Sequence, residues 1–106
     1  MSGKFNSFIN LISQHHKQEH SVSYYATKLF ITPKYLTRVV EESSHKPAKC
    51  WIDEYIALEA KMMLRSTQKT IQEISDELNF PDMSFFGKFF KRMVGMSPKA
   101  YREKKE

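Results

Sequence analysis

Residues Thr70 to Arg102, TIQEISDELNFPDMSFFGKFFKRMVGMSPKAYR, decide how the rest of this chain is read. Apolar residues at Ile71, Ile74 and Leu78 recur at helical spacing, and Thr70 with Glu73 three residues on forms a capping box, so a short helix is expected over Ile71 to Leu78. Asn79 tolerates the left-handed conformation that closes helices, and Pro81 disfavours helix at Phe80, so the chain turns there. Asp82 then caps a second helix. Its apolar face collects Phe85, Phe86, Phe89, Phe90 and Met93, and its other face carries Ser84, Gly87, Lys88, Lys91 and Arg92. Gly95 ends this helix, and Ser97-Pro98 opens a third with an N-cap and a proline at the first helical position. Two short helices about a tight turn, the second apolar behind and basic in front, outline a helix-turn-helix reader.

Working outward, Ser21 to about Glu42 reads as an earlier copy of the same pattern. Val22, Tyr25, Ala26 and Leu29 lie 49 residues before Ile71, Ile74, Ser75 and Leu78. Beyond the turn the offset becomes 50, matching Leu36, Val39 and Val40 to Phe86, Phe89 and Phe90. Thr32-Pro33 starts the second helix of this copy, whose polar front holds Lys34, Thr37, Arg38 and Glu41. Between the copies, Lys46 to about Ser66 carries a broad apolar stripe of Trp51, Ile52, Tyr55, Ile56, Ala60, Met63 and Leu64. A helix of about 18 residues there would be about 27 Å long. Such a rod is expected to set two readers on successive major grooves, about 34 Å apart. Ahead of the first copy, Lys4 to roughly Lys17 reads as an amphipathic helix burying Phe5, Phe8, Ile9, Leu11 and Ile12.

The run Ile71 to Arg102, read as I-x-x-I-S-x-x-L-N-F-x-D-x-S-x-F-x-x-x-F-K-x-x-x-G-x-S-P-x-x-Y-R, resembles the signature of the AraC/XylS family of bacterial transcription regulators, in its C-terminal DNA-binding domain. Ser75 stands where that family commonly has Ala, and Asn79 where it commonly has Gly; both substitutes are small or turn-compatible. The resemblance covers Ser21 to Arg102 well and the first helix loosely. It implies an all-α fold of about seven helices over residues 1–106: a first helix-turn-helix subdomain over 4–45, a linker helix over 46–66, and a second subdomain over 67–106. It also implies binding of double-stranded promoter DNA, contact with RNA polymerase, most often to activate, and a sensing domain that this chain does not contain. The first helix starts within a few residues of Met1, so the chain reads as part of a larger regulator or as a stand-alone one, and the Met1-Ser2-Gly3 start leans to the former.

Carried over position by position, the family's base contacts fall on Lys34, Thr37 and Arg38 in the first copy and on Met83, Ser84, Gly87 and Lys88 in the second. Arg38 leads this set, because a guanidinium bonds guanine O6 and N7 together; the competing reading pairs it with Glu41 or Glu42. The second set is poor in hydrogen-bonding groups: Gly87 has no side chain, and Met83 offers only apolar contact, for instance to a thymine methyl. The first unit is therefore expected to discriminate and the second to supply mainly backbone affinity. Lys91, Arg92, Lys99 and Arg102 suit phosphates, as do the helix starts at Thr32 and Ser97. For Arg102, bracing of the last helix is the competing reading.

Composition agrees with this class. One cysteine, Cys50, excludes an intrachain disulfide framework and suits a reducing cytoplasm, where a nucleoid-associated protein would work. No run approaches the roughly 18 apolar residues that span a membrane, and no basic-then-apolar leader is visible. The net charge of +5 is concentrated late, with seven basic residues and one acid between Met83 and Lys105. Such an end fits a polyanionic partner, though charge alone fits a solvated face as well. The alternative function is a helical interaction module whose basic face docks an acidic protein. The phenylalanine run, Tyr24, Tyr25 and Tyr35 read as core, Cys50 as partly buried beside Trp51, and Asp53 and Glu54 as the exposed edge of the linker helix. His16 and His20 are spaced for a metal, with His15 beside them, but no carboxylate or thiol recurs at ligand spacing, so neither a metal nor any cofactor is implied. Phosphate loop, nucleophile elbow and catalytic carboxylate pair are all lacking, so the chain reads as no enzyme.

Overall fold

The computed structural model describes residues 3–104; Met1 and Ser2, and Lys105 of the basic run, lie outside them. Among the described residues the regular elements are helices: α1 (Gly3–His15), α2 (Val22–Lys28), α3 (Pro33–Ser44), α4 (Ala48–Ser66), α5 (Ile71–Glu77), α6 (Met83–Val94) and α7 (Pro98–Glu103). The fold is all-α, as expected. The chain divides into two compact units, Met1–Tyr55 and Ile56–Glu106, with the division falling inside the 19-residue helix α4. None of the helices described is long and apolar enough to cross a membrane.

In the first unit the Ser21 hydroxyl accepts from the Tyr24 amide to start α2, and Thr32 does the same for Tyr35 to start α3, with Pro33 at the first position. These caps satisfy amides that a helix cannot bond internally. Between the helices the Phe30 N–H donates to the Thr27 carbonyl and the Ile31 N–H to the Ala26 carbonyl, which is a Schellman closure. Its left-handed residue is Phe30, with φ of 61°. The core is Phe8 and Ile12 of α1, Tyr25 and Ala26 of α2, Leu36, Val39 and Val40 of α3, and Ala48 and Ile52 of α4. Phe5, Ile9 and Leu11 are only half-buried, because the stripe of α1 that faces the unit is narrower than its apolar content. The Tyr25 hydroxyl donates to the Glu19 carbonyl at 2.8 Å, and burial pushes its pKa well above the usual tyrosine range.

The second unit repeats the device. Thr70 and Glu73 complete the capping box at α5, Asp82 accepts from the Phe85 amide at α6, and Ser97 accepts from Ala100 at α7. Asn79 takes the left-handed place, φ 63°, with its N–H on Asp76 and the Phe80 N–H on Ser75. Gly95 ends α6 at φ 96°, a conformation that costs a side chain little only when there is none. The buried apolar residues of this unit are Ile56, Ala57, Ala60, Met63 and Leu64 of α4 together with Ile74, Leu78, Phe80, Phe86, Phe89 and Phe90.

Several expectations about burial are corrected here. Phe85 is 57% exposed rather than core, because Phe86, Phe89 and Phe90 already fill the buried sector of α6 and Phe85 falls at its edge. Tyr35 is likewise exposed, and Tyr24 half-buried. Asp53 is buried, not at an exposed edge, and pairs with Lys49 at 3.2 Å one helical turn before it. Cys50 is exposed, since Trp51 and Ile52 rather than Cys50 turn toward the unit.

Candidate nucleic-acid interface

Each unit presents the outer face of the second helix of its helix-turn-helix, α3 in the first unit and α6 in the second. The burial sequence over residues 32–40 is the same, position for position, as that over 82–90: four exposed residues, one buried, one half-buried, one exposed and two buried. The buried positions are Leu36, Val39 and Val40 in one copy and Phe86, Phe89 and Phe90 in the other. The outer faces therefore correspond, and their differences in chemistry can be compared residue against residue.

On α3, Lys34 and Arg38 are exposed and Thr37 is half-buried. A shallow groove is lined by Thr32, Lys34, Tyr35 and Arg38, so three of the sequence-predicted residues come together there. The Arg38 guanidinium lies over the Tyr35 ring, 5.5 Å from its centroid, and no ion pair to Glu41 or Glu42 forms among the described residues. An arginine held on an aromatic face keeps its fork of donors directed outward. Thr32 uses its hydroxyl oxygen to cap α3 and keeps its proton to donate.

On α6, Met83, Ser84 and Lys88 are exposed and Gly87 is half-buried. A Cβ added at Gly87 would meet nothing within 4 Å, so this stretch of the face is open. A second groove, lined by Phe85, Lys88, Phe89 and Arg92, lies along the helix, and the Arg92 guanidinium sits 5.5 Å from the Phe89 ring. Lys91 and Lys99 are exposed, and Ser97 caps α7.

Arg102 departs from the phosphate set. Its Nε donates to the Leu64 carbonyl at 2.9 Å, and Nη2 reaches the carbonyls of Thr67 and Met63 at 3.3 and 3.5 Å. The guanidinium closes the C-terminal end of α4, where carbonyls lack helical partners and the helix dipole is negative. Bracing, the competing reading, is what the geometry shows.

Sequence reasoning missed the two exposed aromatics, Tyr35 and Phe85. The signal was present in the repeat. Tyr35 matches Phe85 at the offset of 50, and neither belongs to the trio of positions that is apolar in both copies.

Comparison with known proteins agrees with this fold. A family model described as "Helix-turn-helix domain" matches residues 25–104. The fold is similar to the C-terminal domain of AraT, a response regulator from Geobacillus stearothermophilus, with TM-score 0.89, 24% identity, and 95% of this chain and 84% of that one covered. It is also similar to the DNA-binding domain of AdpA, a global transcriptional factor solved in complex with a target DNA, with TM-score 0.83, 19% identity, and 95% and 91% covered. Among curated relatives, the arabinose operon regulatory protein of Salmonella typhimurium is 22% identical over 103 residues, spanning 96% of this chain and 37% of that protein.

 

The chain spans between 13% and 37% of the length of the curated relatives it matches. The chain belongs to the AraC-type helix-turn-helix family, as a DNA-binding domain of its transcription regulators.

Proposed function

We propose that this domain binds double-stranded promoter DNA sequence-specifically, with α3 and α6 as recognition helices in two successive major grooves. The observation that carries this reading is the matched outer face of the two helices, identical in burial over 32–40 and 82–90 while the residues it displays differ. Lys34, Thr37 and Arg38 supply hydrogen-bonding readout in the first box, with Arg38 on guanine. Ser84 and Lys88 supply less of it in the second, beside Met83 and Gly87. Lys91, Arg92 and Lys99, with the caps at Thr32 and Ser97, hold phosphates and set register. The regulator to which the domain belongs contacts RNA polymerase, activates transcription, takes its signal through a sensing domain and works in the cytoplasm at the nucleoid.

Selection from random duplexes, followed by titration of the winner, tests this. The expected result is a bipartite site with two boxes about one helical turn apart. Arg38→Ala should relax the guanine preference in one box at a cost of about 1–3 kcal/mol, whereas Lys88→Ala should weaken binding with less loss of selectivity. Equal loss of selectivity in both variants would sink the division of labour. No enrichment, with weak binding that vanishes at modest salt, would favour docking to an acidic protein.

A further inference from the structure

The outer face of α6 is unusual for a helix meant to hydrogen-bond bases. In its first turn Met83 is 45% exposed and Phe85 57% exposed, and the next turn brings Gly87, beside which space is open. Phe85 leans on Phe80, with ring centroids 6.2 Å apart, and so is held at the edge of the face rather than drawn into the core. The matched positions of α3 are Pro33 and Tyr35, and there the aromatic carries a hydroxyl and supports Arg38.

Lys88, Lys91 and Arg92 stand exposed on the same helix, so this face suits a partner that carries negative charge. On the edges that B-DNA turns to its major groove, the apolar group is the C5-methyl of thymine. We infer that α6 reads thymine methyl groups, with Met83 and Phe85 as the contacting side chains, so that the second unit selects a thymine-bearing box by apolar contact. This rests on the DNA-binding reading and changes one part of it: the second unit discriminates by methyl recognition as well as holding the backbone. The open space at Gly87 lets the base edges approach the helix between these contacts.

The test replaces thymidine by deoxyuridine, one position at a time, in the selected duplex. Affinity is read by fluorescence anisotropy at one salt concentration for the full chain and for Met83→Ala, Phe85→Ala and Phe85→Leu. Loss of one buried methyl should weaken binding about three- to fourfold. That loss should appear in one box, disappear in the alanine variants and return in part with Phe85→Leu, which keeps an apolar contact. Thermal melting of each variant checks that the fold is intact. Deoxyuridine without effect, or an effect undiminished in both alanine variants, overturns methyl reading while leaving sequence-specific binding in place. Failure of any duplex to enrich overturns both.

Discussion

Ser75 and Ala26 occupy matched positions in the two copies, both fully buried. Ala26 has nothing to satisfy there, whereas the Ser75 hydroxyl has no hydrogen-bond partner among the described residues. A buried, unpaired hydroxyl costs its lost hydration without return. Ser75→Ala should therefore raise the unfolding free energy, by about 1–3 kcal/mol, measured by urea denaturation; unchanged or lower stability would mean that the hydroxyl is satisfied. A second contrast lies at the turns. Phe30 and Asn79 both adopt the left-handed conformation, yet Asn is suited to it and Phe is not. Phe30 is also 94% exposed, so packing does not offset its strain; the Schellman hydrogen bonds hold it in place.

At the scale of the element, the end of α4 depends on a residue 35 to 39 positions away in the chain. Arg102 reaches the carbonyls of Met63, Leu64 and Thr67 from α7. Hydrogen bonds from a charged donor contribute more than neutral ones, and a cation is favoured at a helix C-terminus. Arg102→Ala is expected to lower stability by about 1.5–3 kcal/mol in thermal or urea unfolding. Arg102→Lys should recover part of it, since an ammonium keeps the charge but lacks the fork that serves several carbonyls. Loss of DNA affinity with no loss of stability would return Arg102 to the phosphate set.

Across the whole molecule, the net charge of +5 and the basic run after Met83 make ionic strength the natural variable. Each phosphate neutralised contributes about −0.9 to the slope of log affinity against log salt. Lys91→Ala should make that slope shallower by about 1 with the preferred sequence unchanged. Arg102→Ala should leave the slope alone, because its guanidinium is engaged with backbone carbonyls. A Lys91→Ala slope equal to that of the unaltered chain would remove Lys91 from the phosphate contacts.

Local signals were enough to read the helices, their caps and the duplication. Thr70 with Glu73, Asp82, Gly95 and Ser97-Pro98 act within a turn of where they stand, so their roles are legible without knowing the fold. The same holds for the matched apolar trios and for the resemblance carried by Ile71 to Arg102. Burial at the edge of a helix face was not legible, because it depends on how much of that face a neighbour covers. Phe85 and Tyr35 look apolar enough for the core, but the trio beside each already fills the space. Asp53 is buried with Lys49 one turn before it at 3.2 Å, and Arg102 is a brace because α7 brings it to the end of α4. Periodicity names the face of a helix; only tertiary packing decides how wide a stripe of it is covered, and which charged groups are engaged on the way.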